Sequence, residues 1–301
     1  MQVARSRFAR DAVSLDVPTA FIREQRELLS FNRDRLSPGL RTADWRQTLA
    51  WEHRLLFQEG AFIEAERQLA LEYMGNVPTE PEPFIAWFSA LRETGPGQDD
   101  PLFPWLAEHA TADQMRWFLS QEVAGEAGFD DLVALAQVKL PQRPKLEMAR
   151  NYWDEMGRGA EKGMHGPMLA KVAAHFEIDP GVSDVVPEAM ALGNLMVGLA
   201  ANRRYAYEAI GALGAIELTA PTRAVHVAAG LRRLNVPAPA RQYFAVHSTL
   251  DVEHSDAWNK EVLAPLVQDD GRRALPIAAG AIMRLIAGRR CFDRYRSYLE
   301  V

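Results

Sequence analysis

Apolar residues recur at steps of three and four positions along nearly the whole chain, whereas the alternation typical of β-strands is almost absent. Proline, glycine and aspartate separate the periodic segments, and these residues end helices. The sequence therefore predicts an all-α protein. The expected helices lie near residues 18–36, 41–75, 84–93, 111–138, 145–176, 185–214, 220–233, 238–268 and 274–299.

The stretch TGPGQDDPLFP, residues 94–104, has the clearest linker composition in the chain. It predicts a boundary between an N-terminal helical region, residues 1–96, and a larger helical domain, residues 97–301. Aromatic residues flank the linker on both sides, so we expect the two parts to pack against each other.

The composition, with 48% apolar and 25% charged residues, is that of an ordinary globular protein. A net charge of −6 provides no basic surface for nucleic acid. The single cysteine, Cys291, excludes an internal disulfide and a cysteine-rich zinc site, and it fits a reducing compartment. The N-terminus lacks an apolar signal segment, and the most apolar run, residues 189–201, is too short to span a bilayer. We expect a cytoplasmic protein without nucleic-acid or membrane partners.

Two of the seven histidines lie in the stretch HSTLDVEH. In a helix, His247, Asp251 and His254 would share one face, because steps of four and seven residues return to nearly the same side. The apolar residues before them suggest that this face points inward, where unpaired polar groups are costly. A cation would supply the missing partners, and imidazole with carboxylate suits iron, manganese or zinc. The alternative is an exposed polar helix face.

Further metal ligands must come from elsewhere in the chain. Glu155 and His165 could share a face if the glycines between them distort the helix, and Glu161 competes with Glu155 for this role. Two glycines within a helix are unfavourable, which indicates close packing or a site at Gly157 and Gly159.

Other carboxylates are also candidates. Glu217 is the one charged residue in a run of small apolar residues, so it is either a helix-end carboxylate or a buried ligand. Glu122 and Glu126 stand four residues apart, where one of them could reach a metal, or both could belong to an exposed acidic face.

The order of these residues resembles that of the heme-oxygenase-like di-iron oxidases and oxygenases, over about residues 100–301. Within that family the pattern is most similar to the N-oxygenating domain of the streptozotocin pathway, which has an extra upstream glutamate ligand. Glu126 or Glu122 would take that place here. The ferritin-like di-iron fold is the competing architecture, but it requires two Glu-x2-His motifs. The six positions that carry the resemblance are Glu155, His165, Glu217, His247, Asp251 and His254.

The resemblance implies a heme-oxygenase-like helical bundle with an N-terminal helical extension that forms a homodimer. It implies two iron ions, O2 as co-substrate and an external electron donor. Glu155, Glu217 and Asp251 would be the catalytic carboxylates that hold and bridge the irons, and the three histidines would supply nitrogen ligands. Tyr152, Tyr205 and Asn202 are possible partners that orient the imidazoles.

The implied reaction is the oxygenation of a small amine or amino-acid-like metabolite, most simply at nitrogen. Oxidative decarboxylation or C–C cleavage of a small carboxylate is the alternative at the same site. Arginines that could hold a substrate carboxylate are Arg203, Arg204, Arg289 and Arg290.

Two other classes of function remain. A metal-free helical binding module could use the aromatic N-terminal residues as its partner surface, and a redox-inert metal such as zinc could support hydrolysis. The aromatic residues are Trp45, Trp51, Phe57 and Phe62.

Overall fold

The computed structural model describes residues 17–39, 44–179 and 184–301. These residues form α-helices and short turns, without a β-strand among them, so the predicted all-α class is confirmed. The helices are α1 Thr19–Leu36, α2 Trp45–Tyr73, α3 Pro81–Thr94, α4 Leu102–Glu108, α5 Ala112–Gly125, α6 Phe129–Ala136, α7 Gln142–Glu155, α8 His165–His175, α9 Pro187–Ala201, α10 Ala206–Arg233, α11 Ala238–His247, α12 Leu250–Ala257, α13 Ala264–Asp269 and α14 Ala274–Leu299.

The two long helices α10 and α14 pack together at the centre of the bundle. Their backbones touch where Gly211 faces Ile277 and Gly280 faces Glu208. A Cβ atom on either glycine would lie 1.8 Å from a carbonyl oxygen of the other helix, so only glycine permits this approach. Helix α9, which contains the most apolar run, is buried on all sides.

The N-terminal helices pack onto the rest of the chain. Asn194 of α9 donates a hydrogen bond of 2.8 Å to the carbonyl oxygen of Gln25 in α1, and Asn32 donates to Asn194 over 3.0 Å. Arg290 of α14 pairs with Glu66 of α2 at 2.7 Å. The expected packing between the two parts is therefore present, while the division at residues 96 and 97 stays a prediction.

Three predicted helices are broken in the structure, and each break lies beside a candidate ligand. The segment predicted as 111–138 divides at Glu126, and the segment 145–176 divides after Glu155. The segment 238–268 divides after His247. Left-handed residues cause the first two breaks, among them Gly128 with φ +76° and Gly157 with φ +61°.

Helix α10 departs from prediction in the opposite sense. A break was expected between residues 214 and 220, but the helix runs on through Pro221, and the preceding break lies instead at Asn202–Tyr205. Proline lacks the N–H that would bond the carbonyl four residues earlier, which is that of Glu217. Packing on all sides of α10 holds the helix together across this missing bond.

The described residues include no helix with the length and apolar character needed to cross a membrane.

Candidate metal centre

Five helices bring the six predicted ligands together inside the bundle. Glu155 ends α7, His165 begins α8, and Glu217 lies in the middle of α10. His247 ends α11, and α12 carries the remaining two. All six are buried: Glu155, His165, Glu217, His247, Asp251 and His254.

A tight loop places Glu155 beside His165. The loop turns through Gly157, with φ +61°, and Gly159, with φ +85°, and it is closed by a backbone bridge between Met156 and Met164. A Cβ atom at Gly157 would lie 2.6 Å from the carbonyl carbon of Gly163. The glycines therefore reverse the chain rather than distort a helix, and Glu161, the competing candidate, is exposed in the loop.

The histidine-rich stretch is not one continuous helix. Helix α11 ends at His247, a turn follows at Ser248 and Thr249, and α12 begins at Leu250. The side chains of His247 and His254 nevertheless approach the same residue, Glu155. A π-helical segment, Trp258–Leu263, follows α12, and such segments occur often at functional sites.

The ligand atoms form two groups that share Glu155. The first group is Glu155, His165 and His247, and the second is Glu155, Glu217 and His254. Within each group the donor atoms lie within 4.8 Å of one another. Two ligand atoms at about 2.1 Å from one metal are at most about 4.2 Å apart, so each group needs only small shifts to bind an ion.

The two oxygens of Glu155 face different groups. Its Oε2 atom lies 2.8 Å from His165 Nδ1 and 3.6 Å from His247 Nε2. Its Oε1 atom lies 3.7 Å from His254 Nδ1, which is itself 3.5 Å from Glu217 Oε2. This carboxylate thus lies between the two groups and belongs to both.

The Oδ1 atom of Asp251 is buried without a hydrogen-bond partner. Burial raises the pKa of Asp251 well above its usual range, and the neighbouring Glu217 and Glu155 raise it further. The Nδ1 atom of His254 is likewise buried without a hydrogen bond. Such orphaned donors and acceptors are costly in an apolar interior, and a cation would satisfy them together.

Two further side chains and one backbone carbonyl orient the candidate ligands. Asn151 donates a hydrogen bond of 2.6 Å to Glu217 Oε1. Asp154 Oδ2 lies 3.3 Å from His254 Nε2, on the side of the ring away from Glu155. The backbone carbonyl of Tyr243 lies 2.7 Å from His247 Nδ1. Such partners fix the ring orientation of metal-binding histidines.

The two upstream glutamates have separate surroundings. Glu126 Oε1 lies 2.7 Å from His165 Nε2, and the carboxylate also accepts hydrogen bonds from the amides of Gly128 and Phe129. Glu122 lies one helical turn away, next to Arg223, Arg284 and Tyr295, and belongs to neither group of ligands.

Neighbouring carboxylates raise the pKa values of His165 and His254, so both imidazoles keep a proton as long as no metal is bound. Burial opposes charge on His254, but Glu217, Glu155 and Asp154 outweigh it and raise the pKa to about 9. Burial also opposes charge on Glu126, yet His165 and the two backbone amides lower its pKa to about 2. A metal ion would displace the imidazole protons, because histidine binds metal in its neutral form.

Sequence reasoning missed Asn151, Asp154 and Tyr243. Two of them were accessible by helical spacing, because Asn151 precedes Glu155 by four residues and Tyr243 precedes His247 by four. The partners considered instead lie elsewhere: Tyr205 donates to Glu64, and Asn202 accepts from the amide of Arg204. Tyr152 packs against the core.

The arginines considered for a substrate carboxylate are also engaged elsewhere. Arg203 donates to backbone carbonyls between Leu135 and Val138, Arg289 donates to the hydroxyl of Tyr73, and Arg290 pairs with Glu66. Neither these three nor Arg204 lines the cavity at the cluster.

A cavity of about 150 Å³ adjoins the ligand cluster. Its walls are largely apolar, and Glu126, Glu155, His165, His247 and Asp251 face it. A small organic molecule could therefore reach the ligands in surroundings that exclude most water. The apolar wall residues include Phe118, Phe129, Leu132, Leu192, Met196, Val227 and Phe244.

Comparison with known proteins agrees with this chemistry. The family described as "iron-containing redox enzyme" matches residues 116–289, which is more than half of the chain and includes all six buried candidate ligands. No curated protein matches the chain. The predicted family resemblance is confirmed, although the particular similarity to the streptozotocin domain stays a prediction. The chain belongs to the iron-containing redox enzymes of the heme-oxygenase-like family, and it is an iron-dependent oxidoreductase.

Proposed function

We propose that the protein is a non-heme di-iron oxygenase that uses O2 and an external electron donor to hydroxylate the nitrogen of a small amine or amino-acid-like molecule. The observation that carries the di-iron proposal is the position of Glu155, whose two oxygens face different groups of ligands. A single-iron site would use one of these groups and leave the other, whose donor atoms also lie within 4.8 Å of one another, without an ion.

The donor set fits iron. Three imidazoles and three carboxylates converge without a thiolate, and mixed nitrogen and oxygen ligands suit non-heme iron. Asp251 Oδ1 and His254 Nδ1 are buried without hydrogen-bond partners, and a cation would satisfy both atoms. His165 and His247 would hold one ion, Glu217 and His254 the other, and Glu155 both, with Asp251 as a further carboxylate.

When bound, iron would activate O2 by supplying electrons to it. Hydroxylation of a primary amine consumes one O2, two electrons and two protons, and yields a hydroxylamine and one water. The chain's own residues set the conditions for this reaction. Asp154 and the Tyr243 carbonyl keep His254 and His247 oriented, and Asn151 holds Glu217.

Glu126 and Tyr243 contact Nε2 of His165, the ring nitrogen that faces away from Glu155, and hold a proton on it. The Nε2 atom of that ring lies 2.7 Å from Glu126 and 3.3 Å from the Tyr243 hydroxyl. Burial raises the pKa of Tyr243, so its hydroxyl keeps its proton at neutral pH. A proton held at Nε2 leaves Nδ1, which faces Glu155, free to bind metal. Our preference for N-oxygenation rests on the resemblance to the N-oxygenating domain, in which Glu126 takes the place of the additional upstream glutamate.

The test is an anaerobic Fe(II) titration followed by rapid mixing with O2, on the wild type and on His247→Ala. We expect about two irons per chain and a transient visible absorption that the substitution abolishes. Amines that accelerate its decay would then be analysed by mass spectrometry for one added oxygen atom from labelled O2. Absence of iron uptake, or uptake and absorption unchanged in His247→Ala, would refute the proposal.

A further inference from the structure

The cavity beside the ligand cluster has a second polar end. Arg223, Arg284, Glu122 and Tyr295 line it together with the ligands. Glu122 precedes Glu126 by four residues on α5, and Arg223 follows Glu217 by six residues on α10. These steps correspond to about 6 Å and about 9 Å along a helix axis. The residues of the second end are therefore attached to the backbone one to two helical turns from Glu126 and Glu217.

The two arginines at this end lack the ion pairs that other half-buried arginines form. Arg35 pairs with Glu59 at 2.5 Å, and Arg294 pairs with Glu188 at 2.8 Å. By contrast, the Nε and Nη1 atoms of Arg284 are buried without any hydrogen-bond partner. Arg223 donates only to the hydroxyl of Thr219, at 3.1 Å, among the described residues.

Nearby groups do not balance this charge. Glu122 is the carboxylate that faces both guanidinium groups, and burial raises its pKa in spite of them. Burial also raises the pKa values of Cys291 and Tyr295, so both stay neutral at physiological pH. Arg223 remains charged, since burial and Arg284 lower its pKa only to about 9. The cavity end thus has two cations against one weakened anion, an expensive arrangement without a further partner.

We infer that Arg223 and Arg284 bind the carboxylate of the substrate, with the rest of the molecule extending along the apolar walls to the metal ligands. Guanidinium groups suit this role because they bind carboxylates through paired, charge-assisted hydrogen bonds. The inference rests on the proposed function and narrows its substrate class. Since one to two helical turns separate the two ends, the nitrogen that reacts lies several bonds from the carboxylate, at the far end of an ω-amino acid rather than on its α-carbon.

The experiment is isothermal titration of the full-length protein with hexanoate, before and after anaerobic iron loading. The variants are Arg284→Met and Arg223→Met, with Arg289→Met as the matched control, because Arg289 lies on the same helix and contacts Tyr73 outside the cavity. We expect each cavity variant to weaken hexanoate binding at least about tenfold, with iron content unchanged. Arg289→Met should bind hexanoate as the wild type does.

A third substitution that should strengthen hexanoate binding distinguishes a specific effect on the site from misfolding. Glu122→Gln removes the carboxylate that competes for the two guanidinium groups, so we expect it to tighten hexanoate binding. The inference is overturned if the wild type does not bind hexanoate, or if none of the three cavity substitutions changes its affinity. Iron content measured in parallel separates the two proposals, because a failed carboxylate site leaves iron uptake intact.

Discussion

Glu155 and His165 lie 2.8 Å apart, between Oε2 and Nδ1, although ten residues separate them along the chain. The loop between them reverses direction at Gly157, whose positive φ and contact with Gly163 leave no space for a side chain. This loop, and not a helix face, makes the pair of ligands.

We expect Gly157→Ala to destabilise the protein by about 1–3 kcal/mol, because alanine is strained at φ +61° and its Cβ would meet the Gly163 backbone. Iron uptake should fall as well, since Glu155 and His165 would separate. Gly166→Ala is the matched control, because a Cβ there meets nothing within 4 Å. Chemical denaturation and iron analysis measure both effects, and equal behaviour of the two variants would contradict this role of the loop.

The shared position of Glu155 predicts how iron content depends on each ligand. Glu155→Ala should lose both ions, whereas His254→Ala should retain about one per chain, since the other group of ligands stays intact. Glu161→Ala, a change in the exposed loop, should bind iron as the wild type does. Iron is measured after anaerobic loading and desalting. Equal iron content in Glu155→Ala and His254→Ala would argue against a bridging carboxylate.

Asp251→Asn should have opposite effects on the metal-free and the iron-loaded protein. Without metal, the substitution relieves repulsion from Glu155 and Glu217 and should raise the free energy of unfolding by about 0.5–2 kcal/mol. With iron, it removes a ligand and should reduce the rise in Tm on loading. Glu253→Gln, an exposed carboxylate on the same helix, is the control. A metal-free Asp251→Asn protein less stable than the wild type would contradict the argument.

The buried thiol of Cys291 should make the free energy of unfolding depend on pH in the alkaline range. Burial raises the pKa of the Cys291 thiol far above its ordinary value of about 9. In the unfolded chain the thiol ionises as the pH rises past that value, while in the folded protein it stays protonated. The contribution of Cys291 to stability is therefore present below about pH 9 and is lost at higher pH. The free energy of unfolding should therefore fall less steeply with alkaline pH in Cys291→Ala than in the wild type. Parallel slopes from denaturation between about pH 8 and 10 would refute this.

For the expected homodimer, the exposed aromatic residues of helix α2 are the surface at which we would test dimerisation. Phe57 is 77% exposed and Trp45 is 60% exposed on this helix, whereas Phe62 is buried. Phe57→Glu should convert the dimer to a monomer in light scattering without loss of iron, because it introduces a charge on an apolar surface. Leu146→Glu, at an exposed leucine of α7, should leave the mass unchanged. A monomeric wild type would end the dimer hypothesis.

Helical periodicity was sufficient to predict the all-α class and the limits of several elements. Helix α14 begins and ends at the predicted residues, 274 and 299, and α1 differs by one residue at its start. These segments have uninterrupted apolar spacing and clear end signals. The six positions that carry the family resemblance are also buried and lie in the cluster that the fold brings together, and their role as metal ligands stays a prediction.

The breaks beside the ligands could not be read from periodicity. A one-dimensional pattern continues through Gly157 and Ser248, but the chain turns at both places, at Gly157 through a left-handed backbone conformation and at Ser248 between the end of α11 and the start of α12. Pro221 shows the reverse case, since it signals a break that the packing around α10 overrides.

The sequence by itself determined the helical class, the residue types of a mixed imidazole and carboxylate site, and the absence of thiolate ligands. Only the tertiary structure decided that Glu155 lies between two groups of ligands, that Glu126 and not Glu122 reaches His165, and that Arg284 faces the cavity. Arg284 interrupts the apolar run GAIMRLIAG just as Glu217 interrupts its own. The reason is physical: spacing along a helix places residues on a face, but what that face meets depends on helices distant in the chain.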